Sequence, residues 1–381
     1  GGVVGFSRVA QVAGFGRAIG FDMGGTSTDV TRYDGRYELQ YETEKAGVRV
    51  VSPMMAIVTV AAGGGSICGF DGVRLTVGPQ SAGADPGPAC YGRGGPLTVT
   101  DVNFLLGKIL PDHFPFPLDR AVVASQLDAM RAEIAKTTGQ QYSVQQLAEG
   151  FVRVANANMV KAIRSISVAK GYDCRDYVLV AFGGAAPQHA CAIAAELGMT
   201  QILNHPDAGI LSAYGIGMAD VVRHQAAGVY RRLNDDSLAD VAQLIEKLSQ
   251  VASEEVESEG IGKGKIETTP FLDLRYQGTD AFLTIAQPAD GDYLSAFTRE
   301  HERRYGYVHR QRDLEIVAVR VEAVGRSTVP LPDSQRVKAC RPQAAGTTRT
   351  WFQGQSKETD VYQRKALQPG DRVVGPAIIT E

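Results

Sequence analysis

Apolar and polar positions along residues 18–42 predict a three-stranded meander. Ala18–Met23 is an apolar strand entering a glycine turn. Thr28–Tyr33 leaves the turn with Val30 between polar neighbours, and 36–41 returns with Tyr37, Leu39 and Tyr41 on one face. Asp34-Gly35 between the last two is a type I′ hairpin signal. Residues 51–118 read as loop-rich, with Asp85-Pro86-Gly87-Pro88 and 92–96 as forced turns; such a stretch inside a compact domain is more often functional or partner-facing than inert. A helical period appears over 118–136. It appears again after the capping pair Ser143 and Gln146, in Leu147, Phe151, Val154, Ala155, Met159, Ala162, Ile163 and Ile166, with Gly171 as the stop. A fully apolar strand at 177–182 is of the parallel type. Gly183-Gly184, a helix over Pro187–Leu197 and a strand at 201–203 follow, an α/β order.

The texture changes after His224. A charged amphipathic helix over 237–256, paired strands at 268–276 and 281–286, a helix over Tyr293–Tyr305 and a strand at 315–324 predict α+β structure, and the tail from Pro330 carries short strands. The expected division is 1–224 and 225–381. Opening on Gly1-Gly2 without Met and stopping at Glu381 after Ala377-Ile378-Ile379, the chain reads as a fragment of a longer protein.

Composition narrows the function classes. Lys plus Arg is 39 and Asp plus Glu 42, a net of −3, which argues against a nucleic-acid footprint. Apolar runs are broken before the length of a membrane span, and the first residues show no signal-peptide pattern. Five scattered cysteines without a CxxC pair suggest neither a disulfide framework nor a zinc ribbon, so a cytoplasmic setting is expected. The 43 glycines cluster in short turns at 24–25, 63–65, 92–95 and 183–184, where a backbone can closely approach something else.

The strongest chemical signal is Asp22-Met23-Gly24-Gly25-Thr26-Ser27-Thr28-Asp29. Successive N–H groups in such a turn make an anion site, and the hydroxyls add donors. Asp22 and Asp29 make sense there if a divalent cation stands between carboxylate and phosphate; the alternative is a tight hairpin with acidic decoration. Gly183-Gly184-Ala185, between an apolar strand and a helix, would let a flat ligand lie against the backbone, although close helix–strand packing explains it equally well. Neither a Walker A loop nor a GxGxxG fingerprint is present.

Phe21-Asp22-Met23-Gly24-Gly25-Thr26-Ser27-Thr28-Asp29-Val30 resembles the second phosphate loop of the hydantoinase A / 5-oxoprolinase family. The blocks 77–92, 158–171, 182–190 and 211–220 are similar to that family too, and the part beyond 224 resembles it more loosely. The resemblance implies α/β structure of the actin-like ATPase (ribonuclease H-like) kind, here one half of it, followed by a C-terminal α+β domain. It also implies ATP and Mg²⁺ as cofactors, and transfer of a phosphoryl group to the carbonyl oxygen of a small cyclic amide, whose ring water then opens. Carried over residue by residue, Gly24, Gly25, Thr26 and Ser27 would hold phosphates, Asp22 would orient Mg²⁺ with Asp29 beside it, and Gly183, Gly184 and Ala185 would face the adenosine. Where the family is more glycine-rich this chain has Ala186-Pro187, so adenine contacts are not carried over. Only one DxGGTxTD stands in the chain; the family's earlier copy would lie N-terminal to Gly1. Weak ATP binding without turnover is therefore expected of the chain alone. A hydantoinase B-type subunit or domain, the N-terminal half and further copies of the chain are the implied partners, with no nucleic acid or membrane. A subunit of an ATP-dependent ketone carboxylase and a non-catalytic actin-like assembly module are the alternatives.

Cys90 with Asp112 and His113 could form a metal site, a structural thiol being the expectation. His189 could touch a ligand or pack within the helix face. Asn156, Asn158, Lys161 and Arg164 read as a solvated helix face that could offset phosphate charge. Gly63-Gly64-Gly65-Ser66, with no helix after it, reads as a flexible turn.

Overall fold

A computed structural model describes residues 1–45, 48–309, 311–326 and 338–381. In chain order the first part contains α1 (Gly2–Val12), β1 (Ala18–Met23), β2 (Thr28–Tyr33), β3 (Leu39–Lys45), β4 (Val48–Met55), β5 (Val58–Val60), β6 (Ser66–Phe70), β7 (Leu75–Ser81), α2 (Val99–Leu105), α3 (Arg120–Thr138), α4 (Val144–Ile166), β8 (Val178–Phe182), α5 (Pro187–Leu197), β9 (Ile202–Leu203) and α6 (Leu211–Gly217). Its central sheet has the order β5-β2-β1-β8-β9. The pairs β5–β2 and β2–β1 are antiparallel, and β8 and β9 continue parallel to β1.

β8 is apolar throughout because both of its faces are covered. Leu179 and Ala181 join the core that includes Phe151, Met159 and Ile163 of α4 and Ile193 of α5, while Val178, Val180 and Phe182 pack with Phe6 and Val9 of α1 and Leu211 of α6. Gly20 gives Phe6 its place: a Cβ there would stand 2.5 Å from the ring. Apolar spacing in α4 places Leu147, Phe151, Ala155, Met159 and Ile163 on the sheet side, and Ser143 and Gln146 make both bonds of the predicted capping box.

The observed elements differ from the expected ones at three places. The third strand of the meander is β5, whose Val60 pairs with Thr28. The chain does turn back after β2, with a Tyr33–Tyr37 bridge and Gly35 at φ +92°. It then leaves the sheet as β3, which pairs only with β4 in a separate ribbon. Alternation shows that a segment is extended but not which edge it joins. α1 was missed because Gly2 and Gly5 lower helix propensity; contact with α6 overrides that, since a Cβ on Gly5 would stand 2.5 Å from the Leu211 carbonyl oxygen. α4 also ends at Ile166, a turn before Gly171, with a short 3₁₀ turn between.

β10 (Val221–Arg232), α7 (Asp235–Ser258), β11 (Ile266–Tyr276), β12 (Leu283–Ala286), α8 (Tyr293–Tyr305) and β13 (Leu314–Gly325) follow. β10 runs through residue 225 and lies in a second sheet, of order β10-β13-β11-β12. The tail adds β14 (Gly346–Phe352), β15 (Gln355–Gln363) and β16 (Ala377–Thr380) as a three-stranded sheet; Pro330 itself lies outside the described residues. This last sheet docks back on the first part. The Trp351 amide donates to the Leu106 carbonyl at 2.8 Å and its indole N–H to Glu149 at 3.3 Å.

Candidate functional site

The β1–β2 connection closes with Asp22 opposite Asp29 and Met23 opposite Thr28, leaving Gly24, Gly25, Thr26 and Ser27 as the turn. The Gly24 amide bonds the Ser27 carbonyl at 3.1 Å. The N–H groups of Gly25, Thr26 and Ser27 find no acceptor among the described residues. A Cβ on Gly24 or Gly25 would meet nothing within 4 Å, so that side of the turn is open. Three free amides beside open space have the form of a concave anion site.

The run Gly63-Gly64-Gly65 holds this turn from behind. Its Gly64 and Gly65 amides donate to the carbonyls of Gly24 and Gly25, at 3.0 and 2.6 Å. A Cβ on Gly63 would stand 2.6–2.7 Å from backbone atoms of Gly25, Thr26 and Ser27. The Gly63 amide goes to Ser66 Oγ, and the Thr100 amide and hydroxyl both donate to the Gly64 carbonyl. The run is therefore no flexible turn but a buried clamp. Its glycine density at an apolar strand end was the signal available in sequence.

The second glycine turn lies against the first. The Ala185 amide donates to the Met23 carbonyl at 3.0 Å, and the Gly183 amide to the Ala208 carbonyl at 2.9 Å. Gly183 has φ +83°, and a Cβ there would stand 2.4 Å from Asp22 Oδ1. Gly184 faces open space. Asp22, Gly24, Gly25, Thr26, Ser27, Asp29, Gly183, Gly184 and Ala185 are thus brought to one end of the central sheet.

Burial pushes the Asp22 carboxyl above the usual carboxylate range, the charge of Asp29 adds to the rise, and the Ser212 hydroxyl, donating to Oδ2 at 3.4 Å, opposes it. Asp29 accepts from the Thr59 hydroxyl at 2.6 Å. Two carboxylates opposed at the mouth of a turn with free amides form a donor set suited to a divalent cation bound with phosphate oxygens. Ser212 was not foreseen, since nothing in the sequence around it marks a contact with Asp22.

The remaining candidates stand elsewhere. Cys90 is buried; Asp101 accepts from the Ala89 and Cys90 amides, and burial together with that carboxylate pushes the thiol up. Asp112 and His113 are exposed on a short 3₁₀ turn. Among the described residues no group of three His, Cys, Asp or Glu side chains could hold a metal ion. His189 and Asn156 are buried and bonded to each other, so Asn156 does not belong to a solvated face, whereas Asn158, Lys161 and Arg164 are exposed on α4.

Comparison with known proteins adds to this geometry. Residues 1–225 match the model of the hydantoinase/oxoprolinase family, and 233–381 match that of its C-terminal domain. The chain belongs to the hydantoinase/oxoprolinase family. The match over 233–381 agrees with the looser resemblance of the part beyond residue 224 to the family's C-terminal region. The chain is 39% identical to 5-oxoprolinase 1 of Arabidopsis thaliana, covering 100% of this chain and 32% of that protein. It is 32% identical to the caprolactamase subunit alpha of Pseudomonas jessenii, covering 98% and 56%. The crystal structure of the ATP-dependent caprolactamase from P. jessenii superposes with a TM-score of 0.88 at 30% identity, covering 99% of this chain and 57% of that one. Nucleotide-free acetone carboxylase gives 0.70 at 25%, covering 100% and 57%. The chain thus spans about a third of the curated 5-oxoprolinases it matches. In this chain α-helices pack on a mixed central sheet, and among the described residues no helix is long and apolar enough to cross a membrane.

Proposed function

We propose that this chain supplies phosphate-binding machinery to an ATP-dependent enzyme that opens a cyclic amide. The observation that carries the reading is the row of unpartnered amides at Gly25, Thr26 and Ser27, facing open space between a carboxylate pair and Gly184. We read the β5-β2-β1-β8-β9 sheet as one half of an actin-like ATPase and residues 225–381 as the C-terminal region. ATP with Mg²⁺ would supply the phosphoryl group that, placed on the carbonyl oxygen of a lactam, makes that oxygen a leaving group and opens its carbon to attack by water.

The protein's own residues position and neutralise, as phosphoryl transfer demands. Amides 25–27 and the hydroxyls of Thr26 and Ser27 donate to phosphate oxygens. Asp22, with Asp29 beside it, takes the cation side. Gly183, Gly184 and Ala185 form the wall for the nucleoside. A B-type subunit is the proposed partner for the hydrolytic step, in line with a relative named as an alpha subunit. The 0.70 superposition on acetone carboxylase keeps a ketone as the second candidate electrophile.

The test has two stages. Mg-ATP should raise the melting temperature of this chain more than AMP does, and equal shifts would count against the phosphate turn. An ATPase screen of the full-length protein with its partner subunit, against 5-oxoproline, hydantoin, caprolactam and acetone, should show stimulation by a cyclic amide. Stimulation by acetone alone would move the assignment to carboxylation.

A further inference from the structure

His189 stands on the first turn of α5, directly after the second glycine turn, and is fully buried. Its Nδ1–H donates to Asn156 Oδ1 on α4 at 2.7 Å, and its Nε2 accepts from Asn103 Nδ2 on α2 at 3.1 Å. Both asparagines are buried as well. Burial, with the charge of Lys108 adding, takes the imidazole down to about 3, so it is neutral at physiological pH and held in one tautomer. Buried and bonded at both ring nitrogens, it has no route to a ligand.

What the imidazole can do is geometric. α2 also carries Thr100, which grips the Gly64 carbonyl, and the clamp at Gly64 and Gly65 holds the carbonyls of Gly24 and Gly25. Thr100 and Asn103 are three residues apart, neighbours on one helix surface. One end of α2 therefore holds the first glycine turn through Thr100 and the helix behind the second through Asn103 and His189. The strands that enter the turns pair up to Asp22 and Phe182, and beyond that pair the turns share the hydrogen bond from the Ala185 amide to the Met23 carbonyl.

Resting on the reading of the two turns as facing walls of a nucleotide site, we propose that His189 is a positioning residue that sets the gap between Gly24–Ser27 and Gly183–Ala185. A ligand that spans both walls depends on that gap; one that touches only the nucleoside wall does not.

The test compares Mg-ATP and adenosine by calorimetry and ligand-observed NMR on wild type, His189→Gln, His189→Leu and Asn103→Ser. His189→Gln supplies a donor and an acceptor in place of the imidazole and should stay within about threefold of wild type for both ligands. His189→Leu should weaken Mg-ATP about tenfold or more with adenosine little changed. Asn103→Ser cuts one bond and keeps the other, and should weaken Mg-ATP about fivefold even if His189→Leu does not fold. A folded Asn103→Ser with wild-type affinity for Mg-ATP, or an equal loss of both ligands that His189→Gln fails to rescue, overturns the proposal. A wild-type chain that takes no Mg-ATP instead brings down the nucleotide reading, and this proposal with it.

Discussion

Glycine serves two different purposes in this site. At Gly25 an added Cβ would meet nothing, whereas at Gly183 it would press on Asp22 and on the Met23 carbonyl oxygen, 2.6 Å away, from a left-handed conformation. Gly25→Ala should therefore leave stability within about 0.5 kcal/mol of wild type, measured by urea denaturation. It should weaken Mg-ATP at least about tenfold by filling the space a phosphate would take. Gly183→Ala should cost about 2–4 kcal/mol by the same denaturation, the sum of left-handed strain and overpacking. Asp22 gives a second residue-scale test. Its folded pKa lies above the ordinary aspartate value, so folding favours its protonated form. The stability gained by protonation is fully present below the unfolded value and is lost as pH rises through the folded one. Asp22→Asn should then raise the melting temperature at pH 7, and the gain should shrink as pH falls towards 4. A gain that grows on acidification would contradict the burial argument.

At the scale of elements, helices with caps and a clear period were legible in the sequence. Pro187–Leu197 and Tyr293–Tyr305 coincide with α5 and α8, and the Ser143–Gln146 box starts α4 as read. Each of these is fixed by local chemistry within a few residues. The candidate turn was legible for a similar reason: paired glycines and hydroxyl residues between two strands mark a tight connection, and Gly24–Ser27 form it between β1 and β2. Long-range devices were not legible. The choice of β5 over β3 as sheet partner, the clamp at Gly63–Gly65 and the contact of Ser212 with Asp22 join residues far apart in sequence. Asp101 is another such device. Its carboxylate accepts from the amides of Ala89, Cys90 and Thr98 and from the Thr98 hydroxyl, at 2.7–3.0 Å, pinning the loop before α2 to the helix start. Asp101→Asn exchanges one acceptor oxygen for a donor facing donors, at a fully buried site. It should cost about 3 kcal/mol or more, and hydrogen exchange at Ala89 and Cys90 should speed up in proportion.

At the scale of the molecule, the parts are joined at both ends of the central sheet. Away from the site, the Tyr172 ring has the Arg32 guanidinium 3.5 Å and the Arg303 guanidinium of α8 4.0 Å from its centroid, tying the second sheet's helix to β2. Near the site, Arg364, on the short 3₁₀ turn directly after β15, donates to the side-chain oxygen and the carbonyl of Asn204, both at 2.8 Å. Asn204 in turn donates to the Ala181 carbonyl on β8 at 3.0 Å, two residues before Gly183. The segment after β9 also receives the Gly183 amide, at Ala208. The two joints differ in what they can transmit. Tyr172→Leu removes ring–guanidinium attraction worth about 1–2 kcal/mol, but the β1 partner of Arg32 is Ile19, at the end of the strand remote from the turn. It should lower stability and leave Mg-ATP affinity as it is. Arg364→Ala removes two bonds to a residue that braces the strand entering the second glycine turn. It should cost about 1–2 kcal/mol and also weaken Mg-ATP several-fold, read by denaturation and calorimetry on the same samples. If both substitutions lower stability and neither changes affinity, the last sheet only buttresses the fold; if Arg364→Ala alone changes it, the C-terminal part takes part in shaping the site.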